Sequence, residues 1–202
     1  MQKIAVLTGD LIHSTDLTSA QLEIHMTSVK TALEDWADGD FDPHFTRQSG
    51  DGWQTILIPP EKALRAALHI RAWLRKKGTE RDTRISIAAG CDVVPKSGNL
   101  NDATGTVFIA SGRGLRALGK RSAFGHSAGG PMSATVRLAD HISRGWTETQ
   151  ARVVLETLKI RRTQEEIAER LGLSQQSVQQ SLAAAGYPAL SAALEFVEGA
   201  DD

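Results

Sequence analysis

Short apolar runs alternate with helical-period stretches over the first part of this chain; from Thr147 onward only the helical period remains. The run KIAVLTGD (3–10) is continuously apolar and closes on Gly-Asp, the pattern of a buried strand ending at a turn. From about Ser19 to Trp36, the residues Leu22, Met26, Val29, Leu33 and Trp36 recur at three- and four-residue steps and predict a helix. HFTRQSGDGWQTILI (44–58) reads as strand, Gly-Asp-Gly turn and strand, stopped by Pro59-Pro60. EKALRAALHIRAWLRKKG is an amphipathic helix with proline ahead of it and Gly78 at its end. TRISIAAGCDVV predicts a further strand, PKSGNLNDATG a polar loop, and TVFIASGRGLRAL a helix with two internal glycines. GKRSAFGHSAGG (119–130) has no period and reads as a loop, either lid or linker, and PMSATVRLADHISRGW predicts a connecting helix. Helix then follows helix to about Glu198.

The order β-α-β-β-α-β-α followed only by helices predicts an α+β fold: a ferredoxin-like sheet and then an all-α unit. The expected boundaries are residues 1–130, a connecting helix at 131–146, and a helical domain at 147–202. Net charge is −1 over 202 residues, so no global basic field points to nucleic acid, and any DNA-binding surface must be local. The single cysteine, Cys91, excludes a disulfide framework and a cysteine zinc site. No signal-like leader and no long uninterrupted apolar segment is present, so the expectation is a cytoplasmic protein without a membrane partner.

The C-terminal helices carry a local pattern. Thr163 can N-cap a helix with Glu166 as its capping-box partner, and Ile167, Ala168 and Leu171 form the inner face. Gly172 makes a turn, Leu173 is buried behind it, and Ser174 caps a second helix whose Val178 and Leu182 point inward. That leaves Gln175, Gln176, Ser177, Gln179, Gln180 and Ser181 outward. Such uncharged groups both donate and accept hydrogen bonds, as reading base edges in a major groove requires. Lys159, Arg161 and Arg162 precede the first helix and can touch phosphates. The run TQEEIAERLGLSQQSVQQSL resembles the helix-turn-helix of sigma-factor-like bacterial regulators. The alternative is a plain helical bundle with a soluble glutamine face. The basic charge is thin, so DNA binding implies a homodimer.

Two Gly-Asp pairs raise a second question. If the hairpin pairs beside the first strand, Asp10 and Asp51 share one edge of the sheet. With a backbone carbonyl near Leu11 or Ile12 they form an oxygen-rich site for Mg2+ or Mn2+, completed by a nucleotide's phosphates. Gly-Asp turns are also common without any ligand.

Here the segments LTGDLIHSTDL, RQSGDGWQTIL, RISIAAGCDVV and NDATGTVFIASGRGL resemble, in order, motifs of the class III nucleotidyl cyclase catalytic domain. More broadly they resemble the palm shared with diguanylate cyclases and polymerases. Joined to a C-terminal helix-turn-helix, the combination resembles the bacterial SatD-like group. The resemblance covers about residues 3–118. It implies metal carboxylates at Asp10 and Asp51, purine-reading side chains at Arg47 and Asp102, and a transition-state arginine near Arg113. The family's asparagine position holds Phe108 here, and Arg116 lies one turn beyond Arg113. Two functions follow as expectations. One is a DNA-binding transcriptional regulator whose cyclase-like domain binds a metal-nucleotide or mediates dimerisation. The other is a purine nucleotidyl cyclase, releasing pyrophosphate from ATP or GTP, with the helix-turn-helix as a localising domain.

Overall fold

A computed structural model describes residues 1–37, 43–119, 122–159 and 162–199. The N-terminal apolar run forms β1 (Gln2–Leu11), followed by α1 (Ser19–Ala37), β2 (Thr46–Arg47), β3 (Gly52–Leu57), α2 (Ala63–Arg75), β4 (Thr83–Asp92) and α3 (Thr106–Ala117). The chain is α+β, and its five-stranded mixed sheet has the order β2-β3-β1-β4-β5, where β5 is Phe124–His126. β1 lies between β3 and β4 and is antiparallel to both, and β2 is antiparallel to β3. It follows that β1 and β2 run parallel on either side of β3, and β3 and β4 run parallel on either side of β1. These are two interleaved βαβ units with α1 and α2 as their crossovers.

β1 is buried on both faces, which is why it reads as an unbroken apolar run. Ala5, Leu7 and Leu11 join the cluster that holds α1 and α2; Ile4 and Val6 join a second cluster with Val107 and Phe108 of α3. Side chains alternate across a strand, so Thr8 and Asp10 share the α3 side. Gly9 is on the other side, where a Cβ would collide with the indole of fully buried Trp53 and with the carbonyl of Arg84. The first Gly-Asp pair therefore owes its glycine to packing. The internal glycines of α3 have a similar explanation at Gly114, where a side chain would strike the Ser86 hydroxyl across the helix–sheet contact. At the other end of α3, Asp92 of β4 accepts a hydrogen bond from the backbone N–H of Val107 at 2.9 Å and so caps the helix from the sheet.

The predicted loop at 119–130 contains β5, which pairs parallel with β4. Three residues between glycines and serines show no alternation. The strand is held by backbone pairing, with Ile85 N–H donating to Ala123 at 2.7 Å and Ser127 N–H to Ile87 at 2.9 Å, and by Phe124, whose ring is fully buried in the core.

Beyond it come α4 (Gly130–Arg144), α5 (Glu148–Lys159), α6 (Gln164–Leu171), α7 (Gln175–Ala184) and α8 (Tyr187–Glu198). One continuous buried cluster runs from Leu7, Leu64 and Leu68 to Leu158, Ile167, Val178 and Leu182, so the core crosses both expected domain boundaries. A buried charge network fastens the two parts. The fully buried guanidinium of Arg71 meets Asp82 at 3.0 Å and Asp140 at 2.9 Å, donates to Ser143 Oγ at 2.6 Å, and lies 3.7 Å from the Phe124 ring centroid. Arg75 donates to the carbonyl of Trp146 at 3.0 Å. Among the described residues no helix is long and apolar enough to cross a membrane.

Candidate functional site

α6, the turn and α7 are built by local hydrogen bonds. The Thr163 hydroxyl accepts from the Glu166 N–H at 3.2 Å, and the Glu166 carboxylate accepts from the Thr163 N–H at 2.8 Å. The hydrogen bonds from Thr163, first that of its backbone N–H, hold the Glu166 carboxyl below the usual range. Gly172 ends α6 in the left-handed region at φ 65°, a conformation glycine takes without steric cost. Ser174 then N-caps α7, accepting from the Ser177 N–H at 3.1 Å. Val178 and Leu182 are buried; Gln176 and Gln180 lie on the opposite side, Gln175 and Gln179 flank the buried edge, all four glutamines are exposed, and Ser177 is half-buried.

The basic residues around this surface are tied down. Arg162 pairs with Glu156 at 2.9 Å, and Arg170 pairs with the same carboxylate at 3.0 Å. Lys159 pairs with Asp35 of α1 at 3.3 Å. Arg161 lies outside the described residues. Phosphate contacts by Arg162 therefore compete with Glu156.

The second candidate lies at the C-terminal end of β1. Asp10 stands opposite Gly52 in β3 and opposite Arg84 in β4, so the Gly-Asp-Gly turn brings Asp51 to the same end of the sheet. Beside Asp10 lies a charge that the sequence reading missed. Arg84 donates from Nε to Asp10 Oδ1 at 2.7 Å and from Nη2 to Asp10 Oδ2, a bidentate pair. The Asp10 hydrogen bond, and secondarily the charges of Asp10 and Asp51, raise the Arg84 pKa. The only signal for Arg84 is the strand register, which a single sequence does not print. Both oxygens of Asp10 are thus engaged by a cation the chain itself supplies. Among the described residues no group of three or more His, Cys, Asp or Glu is placed to hold a metal ion. As folded, the pair is a charge-compensated cluster and does not fit a preformed Mg2+ or Mn2+ centre.

The remaining residues implied by the resemblance have other surroundings. Leu11 is the buried last residue of β1 on the α1–α2 side. Arg47 stands opposite Trp53 in the strand register, so its side chain shares Trp53's face of the sheet, away from Asp10. There it donates to Glu23 of α1 at 2.6 Å. Asp102 accepts from Ser97 Oγ at 2.8 Å in its own loop, which touches β2 through Asn101 Nδ2 donating to the Arg47 carbonyl at 3.2 Å. Arg113 is exposed on α3, and Phe108 is buried beneath the same helix. The structure thus joins Asp10, Asp51 and Arg84, and among the described residues no hydrogen bond or ion pair links Arg47, Asp102 or Arg113 to them. What lies beside Asp10 under α3 is a neutral network: Thr8 Oγ1 accepts from Gln54 Nε2 at 2.8 Å and from Ser111 Oγ at 2.7 Å.

No protein-family model matches the chain, and no curated protein matches it in sequence.

Proposed function

We propose that the chain is a DNA-binding transcriptional regulator acting as a homodimer. Its C-terminal helices form a helix-turn-helix domain, and its ferredoxin-like, palm-like sheet is the dimerising and ligand-sensing part. The observation that carries this reading is the pairing of α6 and α7 through the left-handed Gly172. It leaves Gln175, Gln176, Gln179 and Gln180 exposed along one capped helix. Amide side chains form bidentate pairs with adenine in the major groove, each contributing about 1–3 kcal/mol of discrimination. Because Arg162 and Arg170 share the one Glu156 carboxylate, a single net positive charge is left beside α7, and one copy binds phosphate weakly. Two copies spaced by a dimer are needed for useful affinity. The test is duplex binding at several salt concentrations. The regulator reading expects sequence preference that Gln176→Ala with Gln179→Ala removes; a preference unchanged in that variant contradicts it.

A second reading, binding of a metal-nucleotide or its cyclisation, is favoured by the meeting of Asp10 and Asp51 at one sheet end. It requires Arg84 to leave Asp10, so that carboxylates and guanidinium become available to cation and phosphate respectively. Cyclisation further asks Arg113 to reach the same phosphates. Melting temperature with Mn2+ and ATP or GTP decides the matter. Stabilisation lost in Asp51→Ala supports the reading, and stabilisation indifferent to Asp10→Ala and Asp51→Ala sinks it. Cyclic product and pyrophosphate separate the enzyme from a sensor.

A further inference from the structure

We propose that a second copy of this chain covers the free edge of β4, the two β4 strands pairing antiparallel about Cys91. The inference rests on the homodimer of the preceding reading and gives it a contact. β4 runs from Thr83 to Asp92, but β5 covers it only from Ile85 to Ile87. After the Ser127 N–H meets the Ile87 carbonyl, the chain leaves the sheet for α4. Peptide groups alternate sides along a strand. Those of Ala89 and Cys91 therefore point the same way as those of Ile85 and Ile87, away from β1. Among the described residues no hydrogen bond reaches them on that side.

Edge strands are commonly blunted by proline, by outward charges or by bulges. None of these protects Ala89 to Val93. The one charge in that stretch, Asp92, is buried and turned inward to cap α3. Ala89 and Cys91 are exposed, and Val93 is 60% exposed.

What covers the edge follows from two features on the same strand. Beside Ala89 opens an apolar groove of about 210 Å3, walled by Leu64, Met132 and Val197. Four residues on, Val93 projects without an apolar neighbour to cover it. Ala89 and Val93 lie on one face of the sheet, since side chains repeat every second residue. Pairing about Cys91 sets Val93 of each copy directly opposite Ala89 of the other, and directly opposed side chains meet on the same face. Each valine then fills the other copy's groove. The charges agree. Glu61 lines the groove and Lys96 is exposed just beyond Val93, and neither has an ion-pair partner among the described residues. The same two-fold carries Lys96 of each copy toward Glu61 of the other. Such a contact is isologous and closed, and it joins the two sheets into one. A short strand pair with one filled groove at each end is a small interface, so the dimer is concentration-dependent.

Cys91 is the only cysteine, so it reports the axis in the native chain. The full chain is treated with a short bismaleimide over a concentration series without DNA, and sedimentation follows its mass in parallel. Opposed Cα atoms in such a pair lie about 5.5 Å apart, so covalent dimer is expected wherever sedimentation finds dimer. Glu61→Lys and Lys96→Glu are each expected to weaken association about tenfold, and the two together to restore it. Val93→Asp is expected to abolish the dimer and leave the melting temperature of the monomer in place, because Val93 is exposed. A chain that stays monomeric, a dimer whose Cys91 thiols do not cross-link, or a charge exchange that restores nothing overturns the proposal. A dimer formed through another face would leave base reading by α7 standing; a cross-linked dimer that selects no DNA sequence would sink that reading alone.

Discussion

The exposed face of α7 and the C-terminal end of β1 are both polar surfaces singled out by short motifs, yet they are assembled in opposite ways. The α7 face comes from about twenty consecutive residues whose caps, turn and buried positions are fixed by neighbours three or four places away. The end of β1 comes from Asp10, Asp51 and Arg84, three strand or turn positions whose meeting depends on register across the sheet. A locally built surface leaves its polar groups exposed and unused by the fold. The surface built by register has its carboxylate satisfied from within, by a residue no local rule reveals.

The largest expected effect tests whether the two regions are one folding unit. Asp82→Asn leaves the buried Arg71 short of a counter-charge, and such losses cost about 3–5 kcal/mol. Because the core is continuous, melting followed at the sheet and at the C-terminal helices is expected to fall together; a C-terminal transition that stays put breaks that picture.

At the same junction, fully buried His69 lies between Trp36 and Trp73, and burial holds its pKa below the ordinary 6.5 despite the opposing pull of Asp35. The unfolded chain therefore takes up this proton first. Stability is fully present above about pH 6.5 and falls as the pH drops through the interval down to the folded-state pKa. Melting temperature is expected to decline as the pH falls below about 6.5, with a shallower slope in His69→Gln; equal slopes would remove His69 from the account.

Replacing Gln176 and Gln179 by alanine separates surface from fold. The double substitution is expected to change stability by less than about 0.5 kcal/mol while removing about 1–3 kcal/mol of base discrimination for each amide–base pair. Ser174→Ala removes the cap of the same helix and is expected to cost about 1 kcal/mol in denaturant unfolding. The smallest effect belongs to the sheet end. Asp10 and Arg84 are 18% and 38% exposed, so Asp10→Asn is expected to cost no more than about 1 kcal/mol. A larger loss would show that the ion pair anchors the sheet more strongly than its exposure implies.

What the sequence shows and hides follows the same division. The capping box, the Gly172 turn, the Ser174 cap and the inward Val178 and Leu182 are all legible, because each rests on interactions within one turn of helix. The alternation of helices and strands that predicts the α+β fold is legible too. β5 is not, since its pairing with β4 uses backbone groups that any residues supply. Nor is the face on which Arg47 lies, because a residue's side of a sheet is set by counting from its partner strand. The close approaches at Gly9 and Gly114 show why glycines that weaken a local pattern can be required by packing between elements.

The central claim is that α7 reads DNA. Its most direct test is selection from a randomised duplex library with the full chain, repeated with Gln176→Ala plus Gln179→Ala. The account predicts a recurrent, two-fold related sequence for the native chain and its disappearance in the variant, with residual salt-dependent binding retained. A native chain that enriches no sequence, or a variant that enriches the same one, would contradict it.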